Sequence, residues 1–162
     1  MIRLIDVDLL DAVSSEARTS RRLRQNRNFH PDNAFPAHRL LNAVEPGTYI
    51  APHRHLDPHK DESMVILRGR MGLVIFDDAG EVSMTAEIAT NGRCRGVDIP
   101  HATWHTLLAL EPGTVFFEAK AGPYQPLLEA ERAPWAPAED QAEAAAYLAR
   151  LQQLFAAAAT AD

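Results

Sequence analysis

One cysteine, Cys94, stands in a chain of 162 residues. An intrachain disulfide is therefore excluded, a zinc finger is a poor candidate, and a reducing cytoplasm is the expected setting. No apolar run approaches the ~20 residues that a membrane span requires. The first residues, MIRLIDVDLLDAV, are interrupted by acidic side chains, unlike a signal peptide. There is no internal repeat. Positive charge is also short: the formal net charge is −6, which argues against nucleic acid and anionic membrane as partners. The one basic run, Arg18, Arg21, Arg22, Arg24 and Arg27, has no aromatic residues interleaved for stacking on bases. It reads as a solvated helix face or as a guide for an anionic substrate. Arg24 and Arg27 are the members placed to bind phosphate or carboxylate.

What is present is a single domain's worth of chain with three zones of different character. Residues 1–38 are expected to form an N-terminal helix and linker. Leu9, Leu10, Val13 and Ala17 recur at helical spacing, Asp6 or Asp8 can cap them, and the helix should fade near Asn26 before a polar linker with Pro31 and Pro36. Residues 39–128 alternate short β-rich runs (RLLNAV, TYIAP, SMVILR, MGLVIF, EVSMTAEI, RGVDIP, WHTLLAL, TVFFEAK) with turn sequences such as Pro46-Gly47, Gly69 and Asn91-Gly92. Eight short strands at this spacing close either as an up-and-down barrel or as a double-sheet jelly roll. Residues 129–162 return to helix. Pro137 can start it, and Tyr147, Leu148, Leu151, Leu154 and Phe155 make a stripe for packing on the barrel or on a partner chain. Its Ala-rich end is expected to fray. An exposed edge strand with a terminal helix suits a homodimer.

The chemically informative segment runs from Gly47 to Gly69. His53 and His55 are two apart, which on a strand aims both imidazoles at one face. Glu62 opens the next run, and a hairpin would return it beside them. His105, after Pro100, can supply a third imidazole. Neutral imidazoles with one carboxylate suit a divalent transition metal such as Fe, Zn, Mn or Ni. His59 is an alternative ligand to Glu62, or a proton carrier.

At these residues the sequence resembles the cupin superfamily. Its first motif, Gly-x₅-His-x-His-x₃₋₄-Glu-x₆-Gly, is met by Gly47, His53 and His55, and by Glu62 with Gly69. The departure is the interval from His55 to Glu62, where six residues stand and His59 takes the spacing usual for the Glu. In the second motif, Gly-x₅-Pro-x-Gly-x₂-His-x₃-Asn, Pro100 and His105 match. Cys94 and Ala102 replace the glycines, and Ala109 replaces the Asn. More specifically, the chain resembles the WbuC family of cupin-fold metalloproteins from about Arg24 to Tyr147, through Asn28-Phe29-His30-Pro31, Leu41-Asn42-Ala43, Pro52-His53-Arg54-His55, Lys60-Asp61-Glu62, Trp104-His105 and Gly122-Pro123-Tyr124. The resemblance implies a mainly β fold, the cupin double-stranded β-helix or jelly-roll barrel, with one metal ion. It hints at a carbohydrate-type substrate in surface-polysaccharide metabolism. Fold does not fix function, so three activities stay open: isomerase or epimerase chemistry with the metal as Lewis acid, Fe(II)-dependent dioxygenation, and non-catalytic metal or ligand binding.

Around the expected metal, strand parity sends Tyr49 and Ala51 to the face of His53 and His55, Met64 and Ile66 to that of Glu62, and Leu107 to that of His105. Glu118 and Lys120 share a face with Phe116 and are candidates for acid–base work or substrate binding. His30 in the linker and Tyr124 after Gly122-Pro123 are expected at the mouth. The catalytic candidates are thus Lys120, Glu118, Tyr49 and His30, and the substrate-binding ones Tyr124 and Arg27. His38 and His101 read as ordinary exposed or capping residues.

Overall fold

The computed structural model describes residues 2–156; the Ala-rich end expected to fray, 157–162, lies outside the described residues. The first helix, α1 (Val7–Thr19), is capped by Asp6, whose carboxylate accepts from the Leu9 amide at 3.0 Å. It buries Leu10, Val13 and Ala17, the apolar stripe of its sequence. The helix does not reach Asn26. It stops at Thr19, the chain reverses through Leu23 at φ 53°, and Arg24–Asn28 forms a strand, β1.

Seven further strands follow: β2 (Ala37–Val44), β3 (Glu62–Arg68), β4 (Arg70–Phe76), β5 (Val82–Ala89), β6 (Gly96–Ile99), β7 (Trp104–Ala109) and β8 (Thr114–Ala121). They stand where seven of the β-rich runs were expected. The eighth run, TYIAP, is extended chain outside any strand, and only its continuation at His53 pairs, by single bridges to His105 and Arg132. The strands form two antiparallel sheets, β1-β2-β8-β3-β6 and β5-β4-β7. They face each other across a core of Met64, Ile66, Phe116 and Val44 from the first sheet and Met71, Leu73, Ile88 and Leu107 from the second. This is the double-sheet jelly roll of the cupin fold.

Two outer layers complete the molecule. α1 covers the back of the larger sheet, where Leu41, Ala43 and Val115 meet Leu10, Val13 and Ala17. The C-terminal helix α2 (Ala144–Ala156) covers the back of the smaller one, with Leu148, Leu151 and Phe155 packed on Val74, Phe76, Trp104 and Leu108. Each large apolar side chain so buried contributes about 1.5–3 kcal/mol. The apolar stripe of α2 is therefore a barrel-packing face, and Leu154, which belongs to neither buried row, is left 40 % exposed. α2 starts at Ala144 and not at Pro137, because the Ala138 amide donates to Gln141 Oε1 in a separate turn. No helix among the described residues is long and apolar enough to cross a membrane.

The turn from β3 to β4 consists of Gly69 alone, at φ +75°. A Cβ there would lie 2.9 Å from Thr114 Cα, and the Thr114 hydroxyl is bonded to the Arg70 backbone. Gly69→Ala meets both a left-handed backbone and a backbone clash, so it is expected to lower the unfolding free energy by at least about 2 kcal/mol in urea denaturation.

Candidate metal centre

Backbone pairing explains how residues 52 positions apart meet. His53 N donates to His105 O at 3.0 Å and His105 N to His53 O at 2.9 Å, so the two residues sit opposite each other in one antiparallel bridge. Their side chains are oriented alike: His53 Nδ1 faces the Ala51 carbonyl at 3.1 Å and His105 Nδ1 the Thr103 carbonyl at 2.9 Å. A ring nitrogen against a carbonyl carries the proton, which leaves Nε2 of both rings as a lone-pair donor. Burial and the neighbouring His105 push the His53 imidazole down to about 3, so it is neutral at ordinary pH. His55 is held by the chain around it. The following Leu56 amide donates to Glu131 Oε1 at 2.7 Å, and the preceding Arg54 stacks its guanidinium over Trp104 at 4.1 Å.

Glu62 reaches the histidines from the other sheet, not through a hairpin. It begins β3, whose partners are β6 and β8, and it is 3 % exposed. Its Oε1 lies 3.2 Å from His55 Nε2 and its Oε2 3.1 Å from His105 Nε2. One donor atom each from His53, His55 and Glu62 lies within 4.8 Å of the others. His55 Nε2 and Glu62 Oε2 are both buried without a hydrogen-bond partner. Burial pushes the Glu62 carboxyl up, but His105, His55 and the Lys120 ammonium more than reverse this and hold it well below the usual carboxylate range. An ionised carboxylate thus faces two imidazole Nε2 atoms at hydrogen-bond distance, an arrangement that a cation between them would satisfy. The donor set of nitrogens and one carboxylate oxygen is that of a transition-metal site.

A cavity of about 520 Å³ opens from this cluster. Alternate residues of each strand line it: Arg24, Asn26 and Asn28 of β1, His38, Leu40, Asn42 and Val44 of β2, Glu62 and Met64 of β3, and Phe116, Glu118 and Lys120 of β8. Lys120 Nζ bridges Glu62 Oε1 at 2.8 Å and Glu118 Oε1 at 2.7 Å, and Asn42 Nδ2 donates to Glu118 Oε2 at 2.7 Å. Burial alone would lower the Lys120 amine, but Glu118 and Glu62 outweigh it and raise it, so it stays an ammonium. Lys120 is therefore a fixed cation and hydrogen-bond donor rather than a proton acceptor. His30 and His38 stack at 4.0 Å with 4° between their planes. Both are buried on the cavity wall.

Four placements differ from the sequence reading. Tyr49 is not in the cavity: it packs under α2 with Tyr147, and its hydroxyl donates to the Pro137 carbonyl at 2.8 Å. Residues 48–52 are not a regular strand, so parity slips there and Ile50 faces inward instead. His59 is exposed and turned to Asp57 at 3.1 Å, away from the cluster, so it offers no ligand there. Arg27 is the outward-facing residue between Asn26 and Asn28 and pairs with Glu16 of α1. His38 is a wall residue, not an exposed one. His30, Glu118, Lys120 and Tyr124 do surround one cavity. Sequence reasoning passed over Asn42 and the inward Asn26 and Asn28 of β1, whereas Arg24 on the same face, named there as an anion binder, does line the cavity. Alternation within AHRLLNAV pointed to Asn42 and His38, whereas β1 has no apolar residue to signal a strand.

At the mouth, Glu139 clamps Arg22 (2.6 Å) and Arg24 (2.8 Å). Their hydrogen bonds, Arg22 first, bring the Glu139 carboxyl down to about 2. A carboxylate with a lowered folded-state pKa contributes stability above its ordinary value near 4.5, which is lost as pH falls towards 2. Glu139→Gln is expected to destabilise the protein at pH 7 by about 1 kcal/mol or less, since the pair is half-exposed. The difference should vanish between pH 4.5 and 2 in thermal melts.

No curated protein matches the chain in sequence. Among solved structures it is similar to KdgF from Halomonas sp., with a TM-score of 0.50 and 16 % identity over 66 % of this chain and 85 % of that one. It is also similar to the conserved SPY1581 protein of unknown function from Streptococcus pyogenes, with a TM-score of 0.52 and 15 % identity over 77 % and 91 %. A cupin-2 domain containing protein from Shewanella frigidimarina aligns with a TM-score of 0.46 and 17 % identity over 60 % and 80 %. At these identities the likeness is one of fold. In sequence the match is to a family, over residues 5–88, just over half of the chain, and the chain belongs to that family, described as "Domain of unknown function (DUF6016)".

Proposed function

We propose that this protein is a metal-dependent cupin that holds one divalent transition metal on His53, His55, Glu62 and His105. It acts on a small polar molecule bound in the cavity beside them. The observation that carries this reading is the pair of buried, unpartnered donor atoms, His55 Nε2 and Glu62 Oε2, set beside the Nε2 lone pairs that backbone carbonyls fix on His53 and His105. Uncompensated polar atoms of this kind are costly, and a bound cation removes the cost. The motif resemblance to the WbuC family agrees with a metalloprotein and with a carbohydrate-type ligand.

When bound, the metal supplies Lewis-acid polarisation of a carbonyl or hydroxyl oxygen, the chemistry of an isomerase or epimerase. The chain's own residues do the rest. The Lys120 ammonium, fixed between Glu62 and Glu118, donates a hydrogen bond to a substrate oxygen and steadies charge that develops there. Glu118 and Asn42 hold that ammonium in place. The stacked imidazoles are the groups that move protons. His38 Nε2 faces the Asn33 carbonyl at 3.3 Å and so carries its proton, leaving Nδ1 as acceptor. Burial, and then the neighbouring His30, lower its pKa and keep it neutral. His30 Nδ1 accepts from the Arg39 amide at 3.2 Å, so its proton lies on Nε2 as a donor. Apolar side chains (Leu40, Met64, Leu107 and Phe116) line the rest of the cavity and limit the water near the reacting group.

Metal analysis of the purified protein tests the reading. One metal per chain is expected, with a rise in melting temperature on metal addition that His105→Ala abolishes. Lys120→Met should keep the metal and lose ligand affinity, because Lys120 touches a proposed ligand without being one. Wild-type protein that takes up no divalent metal, or His105→Ala that takes up as much as wild type, overturns the assignment.

A further inference from the structure

Four side chains that carry a permanent positive charge line the cavity, and three of them are tied to carboxylates. Lys120 lies between Glu62 and Glu118, and Arg22 and Arg24 are clamped on Glu139. Lys60 is different. It is 8 % exposed, its Nζ donates to one acceptor, the Pro123 carbonyl at 2.6 Å, and among the described residues no carboxylate is paired with it. The acidic groups near it in the chain are engaged elsewhere. Asp57 accepts from the His59 amide and ring, Asp61 from those of His101, and Glu131 from the Leu56 and Leu128 amides. An ammonium has three protons to donate, and here one meets a neutral carbonyl while Asp57 and Glu131 act on it only through space, with no carboxylate in direct contact.

The loop that delivers Lys60 is the place where the chain departs from the cupin spacing. Six residues separate His55 from Glu62 where three or four are usual, and the added length folds as a turn closed by the Lys60 amide on the Asp57 carbonyl at 3.0 Å. That turn sets Lys60 on the cavity wall against the rim that carries Pro123, Tyr124 and Gln125. Gly122 makes the rim's close approach feasible, since a Cβ there would meet the His38 ring at 2.8 Å and would collide with the Phe35 carbonyl.

We propose that Lys60 is the anion anchor of the cavity, so that the ligand carries a carboxylate or a phosphate. The charged group pairs with Lys60 beneath the Pro123–Gln125 rim, and the reacting end extends to the His53–His55–Glu62–His105 cluster. The second half of this statement rests on the metal-site reading above; the first does not. The lengthened loop is thereby a specificity device: it places one cation that no carboxylate contacts where a neutral ligand would leave it without an ion pair. The cavity volume admits a molecule of about monosaccharide size.

The test is titration calorimetry of the full chain with glucuronate, glucose 6-phosphate and glucose, with metal content measured on the same samples. Wild type is expected to bind at least one of the two anions roughly tenfold to hundredfold more tightly than glucose, the value of a charge-assisted bond in a buried site. The preferred anion separates carboxylate from phosphate. Lys60→Met should erase the preference with metal content unchanged, and Lys60→Arg should retain it. Ligand-free Lys60→Met should melt at or above the wild-type temperature, because it removes a buried charge that no carboxylate contacts. Glucose binding as tightly as the anions, no binding of either anion, a preference that survives Lys60→Met, or a lower melting temperature for that variant would overturn the proposal. A sample without metal sinks the metal-site reading alone, since the dependence of anion binding on Lys60 is read in the same titration.

Discussion

A carboxylate at 3 % exposure is the constraint around which the rest of the molecule is arranged. Glu62 cannot be ionised inside a barrel unless charged and polar groups surround it, and they come from different stretches of chain: the Lys120 ammonium from β8, His55 Nε2 from the extended segment and His105 Nε2 from β7 in the opposite sheet. Their arrival is a matter of backbone. The Glu62–Lys120 contact is a direct cross-strand pair, and the His53–His105 bridge ties the extended segment to the second sheet. The interactions that close the barrel at this end are thus also the ones that assemble the donor set. Removing Lys120's partner Glu118 would in turn leave an ammonium on one carboxylate, which is why Asn42 bonds to Glu118 on its far oxygen.

Much of this was legible. Alternating apolar runs separated by turn residues marked seven strands, because those strands bury one face against the core and period two follows from burial. The same alternation put Met64 and Leu107 inward and set Glu118 and Lys120 on the face of Phe116, which is the cavity face. Motif spacing singled out His53, His55, Glu62 and His105, which the structure gathers into one cluster, and the Glu-x₆-Gly interval is the length of β3 up to the Gly69 turn.

The failures share a cause: alternation is informative only where one face is apolar. β1 reads RQNRN because its inward face lines a polar cavity and its outward face meets solvent and the acidic Glu16, so nothing in its composition distinguishes it from a linker or the end of a helix. Arg27 was consequently placed by proximity to the linker, although its parity turns it outward. Tyr49 failed in the opposite way. Strand parity was extended from His53 through residues that form no ladder, and between Ile50 and His53 the inward phase changes from even to odd positions. The backbone there is fixed by contacts no local pattern reports: Arg24 Nη1 on the Tyr49 carbonyl and the Thr106 hydroxyl on the Ile50 carbonyl.

Charge in the inner cavity gives these placements a common direction. Glu62 and Glu118 supply two negative charges, and Lys120 and Lys60 supply two positive ones, with His53 and His38 held neutral. On the proposed reading a divalent ion on the donor set would add positive charge to this balance, with the buried Glu131 carboxylate near His55 and Lys60 offsetting part of it. The clamp at the mouth does not relieve it, because one Glu139 is shared by Arg22 and Arg24. A ligand that brings negative charge of its own would bring the cavity closer to neutral. Lys60 in the loop and Glu62 at the start of β3 stand two positions apart, so on the proposed reading the lengthened interval that obscured the motif would also join the metal end of the cavity to its anion end.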